Sequence, residues 1–226
     1  MFGRMRMTDV TPRTDPLFLF CKRALDIAVA TMALVTLSPV FLVVSIAIKL
    51  TSPGPALYRG TVIGKDGKAF TYYKFRSMAT DGDASKHKEF IRRYVAHGKG
   101  HVDDKTGEEV FKLTNDPRVT AIGKLIRRVS LDEFPQMLNV LKGDMSIVGP
   151  RPPVPYEYEL YDDRKKLRLL VRPGITGLNQ VRRRSQSTFE QMYADDIEYI
   201  RNQSIWLDIR IMAKTPWVML FGAGPT

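Results

Sequence analysis

The sequence predicts a mostly helical α+β protein with a membrane-associated helical segment, a small β-hairpin and amphipathic helices at the membrane interface. Three observations favour this fold class. One apolar run, residues 24–48, contains a single charge, Asp26. Two short β-forming segments flank a glycine turn, and an amphipathic stretch with two tryptophans lies near the end of the chain. The length of 226 residues suffices for one folded domain with an anchor.

The net charge and the amino-acid composition of the chain limit the kinds of partner and fold that it can have. Lys and Arg outnumber Asp and Glu by 35 to 24, a formal net charge of +11. We therefore expect an anionic partner: nucleic acid, a phosphorylated substrate or an acidic membrane surface. The single cysteine excludes a disulfide framework and a cysteine-based zinc site. The hydrophobic share of 44% excludes both a disordered tail and a polytopic membrane protein.

The N-terminal part of the chain predicts a lead-in followed by an anchor. Residues 1–20 carry arginines among prolines and threonines and predict a flexible cytosolic lead-in. Residues 21–50 contain an apolar run long enough to cross a bilayer. The run is too long for the apolar region of a secretory signal and no small-residue cleavage site follows it, so we expect the segment to be retained.

The basic residues around this segment bear on its topology. They lie at both ends: Lys22, Arg23, Lys49 and Arg59. The positive-inside rule places both ends in the cytoplasm, which a single straight span does not allow. The Ser38-Pro39 pair predicts a kink near the middle, because proline has no N–H to donate and its ring opens the preceding turn. A helix that enters and returns on one side and a plain kinked span both remain open from the residues alone.

The next elements are a predicted hairpin and two predicted helices. Residues 56–63 and 69–75 are rich in β-formers, and the Gly64-Lys65-Asp66-Gly67 segment between them suits a hairpin turn. These glycines do not form a phosphate-binding loop, because their spacing is wrong and Asp66 stands where Ser or Thr is required. Helices are predicted over residues 85–95 and 120–129.

The candidate catalytic residues are two adjacent acids, Asp132 and Glu133. Ser130 and Glu133 match a capping box, whereas a helix that starts at Asp132 places Pro135 in its first turn. Both registers put the acids at a helix N-terminus, where the helix dipole favours the carboxylate form. Asp132 is therefore a candidate nucleophile or metal ligand. A well-capped structural helix is the alternative.

Arginines lie on both sides of the acids. Arg127 and Arg128 precede them, and Arg151 follows within a Gly-Pro-Arg-Pro-Pro run whose prolines stiffen the backbone around the guanidinium. Two acids beside several arginines suit metal-assisted phosphoryl transfer. The acids would hold Mg²⁺ or attack phosphorus, and the arginines would neutralise the developing charge.

The C-terminal stretch, residues 204–220, places Trp206 and Trp217 among aliphatic residues, with Arg210 and Lys214 between them. This composition predicts a helix that lies in the headgroup layer of a membrane. Charged residues interrupt the stretch and disfavour a second span. A core helix of the folded domain is the alternative.

The motifs together resemble the bacterial sugar transferases, the monotopic polyprenyl-phosphate phosphoglycosyl transferases of the hexose-1-phosphate type. The resemblance runs from about Cys21 to Pro216 and rests on KRALDIA, the Ser38-Pro39 break, SPGPALYRG, YKFRSM, KLTNDPRVTAIGKLIRRVSLDEFPQMLNVLKGDMSIVGPRP, RPGITGLNQV and DDIEYIRNQSIWLDIRIMAKT. It implies a re-entrant membrane helix hairpin over residues 21–50. It implies a cytosolic catalytic domain with interfacial helices over residues 51–226, on the cytoplasmic face of the bacterial inner membrane.

The resemblance also implies a role for individual residues. Asp132 and Glu133 form the catalytic dyad. Asp132 attacks the sugar-bearing phosphate of a UDP-sugar, expels UMP and forms a phosphosugar-aspartyl intermediate that undecaprenyl phosphate then attacks. Glu133, together with Asp132, binds the cofactor Mg²⁺. The residues implied to contact phosphates or to lie near the site are Lys74, Arg76, Arg127, Arg151, Asp196 and Tyr199.

The implied product is an undecaprenyl-diphosphate-sugar that begins exopolysaccharide or capsule synthesis, with galactose or glucose as the sugar. Membrane lipids are expected partners, and the oligomeric state is open between monomer and homodimer. Val62, Asn179 and Arg183 depart from the family pattern and bear on specificity. A nucleic-acid reader is disfavoured because no reader module is recognisable. The alternative function is an inactive membrane scaffold or regulator of polysaccharide assembly, which has no need for two acids beside a proline-clamped arginine.

Overall fold

The computed structural model describes residues 10–79, 85–97, 101–102, 109–110, 118–183 and 186–221. Within these ranges the chain is mostly helical and contains three two-stranded sheets. This agrees with the mostly helical α+β part of the predicted fold class.

The apolar segment forms two helices joined by a sharp bend. Helix α1 (Pro16–Thr36) is capped by Asp15, whose carboxylate accepts a hydrogen bond from the N–H of Leu17 at 3.0 Å, and helix α2 (Ser38–Thr51) follows directly. The two helices are bent by 61°. Pro39 lies in the first turn of α2, where its missing N–H is tolerated, so the kink predicted at Ser38-Pro39 is confirmed.

Two features of this pair bear on the predicted boundaries. The helix begins at Pro16, so residues 16–20 belong to α1 and not to a flexible lead-in, and Val10 before it is buried in the core. Among the described residues, no single helix is long and apolar enough to cross a membrane, whereas the bent pair passes that test by length and composition.

The predicted β-hairpin is confirmed. Strand β1 (Leu57–Ile63) pairs antiparallel with strand β2 (Ala69–Phe75), with Leu57 opposite Phe75 and Ile63 opposite Ala69. A 3₁₀ turn over Lys65–Gly67 joins them, in which Asp66 and Gly67 have φ values of 57° and 75°. Asp and Gly are residue types that tolerate this left-handed conformation.

The remaining elements follow in chain order. Helices α3 (Ser85–His97) and α4 (Ala121–Arg128) confirm the two predicted helices, and the short strands β3 (His101–Val102) and β4 (Glu109–Val110) between them pair antiparallel. The rest are a 3₁₀ helix (Leu131–Gln136), α5 (Met137–Lys142), β5 (Ser146–Val148), α6 (Pro155–Tyr158), α7 (Asp163–Lys166), a second 3₁₀ helix (Leu167–Leu170), β6 (Gly174–Thr176), α8 (Leu178–Arg183), α9 (Phe189–Arg201) and α10 (Ile205–Phe221). Strand β6 pairs parallel with β5.

The bent helix pair is part of the folded domain. The main hydrophobic core includes Ala30 of α1 together with Val140, Met145 and Ile200, all fully buried. A smaller cluster joins Ile48 of α2 to Phe75 of β2 and to α4. Because α1 packs in one cluster and α2 in the other, both arms of the bent pair are held by the same folded unit.

Helix α10 has two different faces. Asp208 and Ile211 are buried against the core, whereas Trp206 and Trp217 are 61% and 68% exposed. The guanidinium of Arg210 lies 5.1 Å from the centre of the Trp206 ring. One face of α10 is therefore packed as in a core helix, the alternative given by the sequence. A position at the membrane interface remains a prediction for the exposed face.

Candidate active site

The two acids lie in the first turn of the Leu131–Gln136 3₁₀ helix, which we call the acid-pair helix. Ser130 precedes it with a left-handed backbone (φ 53°), and its side chain makes no capping hydrogen bond. The predicted capping box is therefore wrong, because a capping serine needs an extended backbone. The N–H of Glu133 donates instead to the Ser130 carbonyl oxygen at 3.2 Å.

The two acids lie on different faces of the 3₁₀ helix. Side chains three residues apart are eclipsed in such a helix, so Asp132 shares a face with Pro135, and Glu133 lies about a third of a turn away. Asp132 is only 6% exposed, whereas the Glu133 side chain is 40% exposed. The two carboxylates therefore differ in their access to solvent.

Lys74 of β2 joins the acid pair. Its ammonium nitrogen lies 3.0 Å from Oε1 of Glu133 and 5.1 Å from the centre of the Tyr72 ring. The hairpin strand and the acid-pair helix are 59 residues apart in the chain at this contact. The structure therefore brings together Lys74 and Glu133, two residues that the sequence assigned to one site.

Helix α4 positions Arg127 just before the acid-pair helix. The Thr120 hydroxyl caps α4 by accepting from the N–H of Gly123 at 3.0 Å, and the Thr120 N–H donates to the Ser77 carbonyl at 3.1 Å. A Cβ at Gly123 would lie 2.1 Å from the Ser77 oxygen, so this close approach requires glycine. Arg127 lies in the last turn of α4 and is partly buried.

Arg76 is engaged by the protein backbone. It is 5% exposed, and one of its terminal nitrogens donates to the Ser52 carbonyl at 2.7 Å while the other donates to the Pro53 carbonyl. These contacts fasten the end of α2 to the end of β2. A contact of Arg76 with phosphate remains a prediction.

Arg151 lies in a tightly held loop. The prolines on either side of it are buried, and the Pro150 carbonyl accepts from Gly174 at 2.9 Å. The Pro153 carbonyl accepts from the N–H of Ile63 at 2.9 Å, which ties the loop to β1. The Arg151 side chain is exposed. The loop thus holds the backbone and leaves the guanidinium on the surface.

Asp196 supports this loop through a buried arginine. Nε of Arg168 lies 2.6 Å from Oδ2 of Asp196, and Nη2 of Arg168 donates to the Arg151 carbonyl at 3.1 Å. Burial raises the pKa of the Asp196 carboxyl, an effect that the Arg168 cation opposes. Sequence reasoning missed Arg168, although a single arginine among leucines, LRLL, is a signal for a buried cation.

Tyr199 belongs to a second buried group, which we call the Lys22 junction. The ammonium of Lys22 donates to Asp208 at 2.7 Å, to the Tyr199 hydroxyl at 3.1 Å and to the Val148 carbonyl at 3.2 Å. The Tyr199 hydroxyl donates to Oδ1 of Asp208 at 2.8 Å. Burial raises the pKa of Tyr199 well above its ordinary value, and the Asp208 charge adds to that. Asp196 and Tyr199 thus both support the segment that carries Arg151.

The KRALDIA motif of α1 makes contacts with the folded domain. Arg23 donates to the carbonyls of Val140 and Leu141 at 2.6 and 2.9 Å, at the end of α5. Asp26 accepts from the Ser146 hydroxyl and the Ile147 N–H, both at 2.9 Å. The basic pair Lys22-Arg23 of α1 therefore has protein partners, which the charge pattern alone did not indicate.

The three departures from the family pattern lie in different surroundings. Val62 is 4% exposed and belongs to the buried hydrophobic residues. Asn179 is 6% exposed, and its Oδ1 has no hydrogen-bond partner among the described residues. Nε of Arg183 lies 3.2 Å from Oδ2 of Asp195, within a surface ion-pair network. An effect of these residues on specificity remains a prediction.

The acid pair fits a magnesium ion that is shared with substrate. Among the described residues there is no group of three or more His, Cys, Asp or Glu side chains that would hold a metal by itself. Mg²⁺ in phosphoryl-transfer sites usually takes one or two carboxylates, with water and substrate phosphates as its other ligands. The half-exposed Glu133 carboxylate matches that requirement.

Comparison with known proteins gives a consistent result. The family model described as bacterial sugar transferase matches residues 17–222. The chain is 42% identical over 202 residues to the undecaprenyl-phosphate galactose phosphotransferase of Salmonella typhimurium (89% of this chain, 40% of the relative). It is 42% identical over 202 residues to the UDP-glucose:undecaprenyl-phosphate glucose-1-phosphate transferase of Escherichia coli (86% and 39%). It is 39% identical over 208 residues to the exopolysaccharide production protein ExoY of Rhizobium meliloti (91% and 88%). The chain thus spans less than half the length of the first two relatives and most of the third.

Proposed function

The chain belongs to the bacterial sugar transferase family, and from this premise we propose that it transfers a hexose-1-phosphate from a UDP-sugar to undecaprenyl phosphate. The products are undecaprenyl-diphosphate-hexose and UMP. The observation that carries the proposal is the contact of Lys74 with Glu133 beside the buried Asp132. This contact places a cation next to the proposed magnesium ligand and the proposed nucleophile.

The proposed reaction has two steps at one phosphorus atom. A carboxylate oxygen of Asp132 bonds to the phosphorus that carries the sugar, and the bond from that phosphorus to the bridging oxygen breaks, so that UMP leaves with the electron pair. An oxygen of undecaprenyl phosphate then bonds to the same phosphorus, and the bond to Asp132 breaks and restores the carboxylate. A covalent intermediate lets two anionic substrates use one site in turn.

The surrounding residues divide the remaining tasks. Lys74, Arg127 and Arg151 neutralise the charge of the diphosphate and of the transferred phosphoryl group. Glu133 holds Mg²⁺, with Asp132 as the other candidate ligand, and the ion supplies Lewis-acid stabilisation of phosphate charge when bound. Residues that are engaged inside the protein, Arg76, Asp196 and Tyr199, position these groups.

The proposed topology is a re-entrant hairpin with both ends on the cytoplasmic side of the bacterial inner membrane. Both ends of the bent pair contact one folded domain: Lys22 near its start bonds to Asp208, and Ser52 at its end bonds to Arg76. A full span would place the two ends on opposite sides of a hydrocarbon layer about 30 Å thick, which is incompatible with both contacts. Exposed apolar side chains, Val35, Leu42 and Val43, supply the lipid-facing surface.

The proposed sugar is galactose or glucose, and the proposed process is the start of exopolysaccharide or capsule synthesis. The support for this part is the names of the relatives, two of which specify galactose or glucose and one of which specifies exopolysaccharide production. A panel of UDP-hexoses and UDP-N-acetylhexosamines, scored by UMP release, tests the choice.

The decisive experiment compares two aspartate variants. Purified protein in lipid nanodiscs with Mg²⁺, UDP-galactose or UDP-glucose and undecaprenyl phosphate should release UMP, and intact-protein mass spectrometry without acceptor should detect an added hexose phosphate. Asp132→Asn should abolish both signals, while Asp163→Asn, at an exposed position outside the site, should retain them. Wild-type turnover in Asp132→Asn, with thermal stability unchanged, would overturn the proposed nucleophile.

A further inference from the structure

The side chain of Asn139 bonds to the backbone of strand β2. Asn139 lies in α5 and is fully buried. Its Oδ1 accepts from the N–H of Tyr73 at 3.2 Å, and its Nδ2 donates to the Thr71 carbonyl at 2.6 Å. Thr71 and Tyr73 are alternate residues of β2, and strand β1 pairs along the opposite edge. The amide of Asn139 therefore occupies the second edge of the strand.

The amide of Asn139 takes the place of a neighbouring strand at this edge. A side-chain amide carries the same donor and acceptor groups as a peptide bond. The second proton of Nδ2 also has a partner, Oδ2 of Asp144 at 3.3 Å, in the turn that follows α5. Leucine has almost the same shape but neither polar group, and aspartate would turn an acceptor toward the Thr71 carbonyl. The position therefore requires asparagine.

Both partners in this contact belong to the candidate active site. Lys74 follows Tyr73 directly in β2, and its ammonium nitrogen lies 3.0 Å from Oε1 of Glu133. Helix α5 follows the acid-pair helix without a break. Asn139 thus fastens the strand that carries Lys74 to the segment that carries the acids.

The other side-chain contacts described between these two segments are more exposed. The side chains of Lys74 and Glu133 are 26% and 40% exposed. The ammonium of Lys142 donates to the Tyr73 hydroxyl at 2.6 Å, also at the surface. Exposed ion pairs contribute little to stability, whereas the loss of a buried partner leaves an N–H and a carbonyl unpaired in the interior. The bonds of Asn139 therefore have the larger effect on how β2 lies against the acid-pair helix.

We propose that Asn139 is a positioning residue, which holds Lys74 at the acid pair during phosphoryl transfer. The inference rests on the proposed function, in which Lys74 neutralises phosphate charge. Asn139 acts through the backbone of β2 and touches no substrate in this role. A displacement of about 1 Å at a reacting centre can cost about a hundredfold in rate, so the attachment of the strand matters for catalysis.

A cross-linking experiment measures the position of residue 74 without any activity. In a Cys21→Ala background, Lys74→Cys and Glu133→Cys place two thiols at the ends of the contact for a short bifunctional methanethiosulfonate. Asn139→Leu should slow the cross-link by at least about tenfold, because intramolecular reactions depend steeply on geometry. The control Ser146→Ala removes another fully buried hydrogen bond, to Asp26, and should leave the rate within about twofold.

Thermal unfolding shows whether these variants are folded. If Asn139→Leu does not fold, Asn139→Ser gives the same comparison, since its shorter side chain does not reach the strand. Cross-linking as fast in the folded Asn139 variant as in the Ser146→Ala control would overturn the inference.

A kinetic experiment separates positioning from a general structural effect. Asn139→Leu should slow single-turnover UMP release by at least about tenfold, but by no more than about twofold in a Lys74→Met background, because the two residues act as one unit. Equal losses in both backgrounds would also overturn the inference. Absence of UMP release from the wild-type protein would instead contradict the proposed function, and the cross-linking rates would still decide whether Asn139 positions residue 74.

Discussion

The ammonium nitrogen of Lys22 lies 2.7 Å from Oδ2 of Asp208, across 186 residues of sequence. The two side chains are 13% and 2% exposed, and the three protons of the ammonium have three acceptors in Asp208, Tyr199 and Val148. The contact joins the N-terminal half of α1 to α10 and to β5. Loss of one partner from a buried, fully bonded pair leaves the other charge unpaired, so this junction governs stability.

Lys22→Met should therefore destabilise the protein by about 3–5 kcal/mol, because Asp208 would remain buried without its cation. The matched control is Lys49→Met at the exposed basic flank after the bend, where we expect a change within about 0.5 kcal/mol. Chemical or thermal unfolding in detergent micelles measures the difference. The double variant Lys22→Met/Asp208→Leu should recover part of the loss, and no recovery would argue against the pair as its cause.

Arg168→Met should destabilise the protein by a similar amount, about 3–5 kcal/mol, since it leaves Asp196 buried without its cation and frees the Arg151 carbonyl. Arg164→Met removes an arginine from an exposed pair with Glu190 and should cost at most about 1 kcal/mol. Unfolding midpoints of the two variants in the same detergent check this ranking. Equal midpoints would mean that the buried pair does not hold the loop.

The re-entrant topology predicts that both flanks of the bent pair face the cytoplasm. In a Cys21→Ala background, Thr14→Cys and Lys65→Cys introduce exposed thiols before α1 and after β1. Both should be shielded from an impermeant thiol reagent in intact cells and labelled after permeabilisation. Labelling of the Thr14→Cys site alone in intact cells would indicate a full span.

Glu133→Gln should raise the Mg²⁺ concentration needed for half-maximal UMP release by at least about tenfold, because an amide oxygen is a weaker ligand for a hard cation than a carboxylate. Glu159→Gln, at an exposed position of another loop, should leave the Mg²⁺ dependence unchanged. A magnesium titration of single-turnover UMP release measures both. Identical titrations for the two variants would exclude Glu133 as the ligand.

Stability should fall in alkaline solution as buried tyrosines ionise. Burial raises the pKa of Tyr94 to about 12, and an unfolded tyrosine titrates near pH 10. The folded state thus retains a proton that the unfolded state loses, so the stabilisation is complete below about pH 10 and is lost as the pH rises toward about 12. Unfolding midpoints across this range, followed with tyrosinate absorbance, measure the slope.

Tyr94→Phe provides the control for this slope. The Tyr94 hydroxyl donates to the Ser187 carbonyl at 2.9 Å, so its loss should lower stability at neutral pH by about 1 kcal/mol. The decline above about pH 10 should become shallower because one titrating group is gone. An unchanged slope would mean that Tyr94 does not contribute to the alkaline transition.

Elements with local determinants could be predicted from the residues. The hairpin follows from two β-forming segments around a glycine turn, and the bend from Pro39. The acid pair could be placed at a helix start, but the left-handed Ser130 and the 3₁₀ geometry could not, because the capping pattern is equally compatible with an α-helix.

Charge patterns indicated where cations lie and not what they contact. The charge pattern predicts a role in membrane topology for Lys22, and the family resemblance implies a phosphate contact for Arg76. Both side chains are instead bonded to distant groups of the protein. Arg168 carried no expectation at all. The order of residues thus determined the bent helix pair, the hairpin and the candidate dyad, since these depend on neighbours in the chain. The partners of each buried cation were decided only by the tertiary structure, because burial and long-range packing determine whether a guanidinium or ammonium contacts carbonyls, carboxylates or solvent.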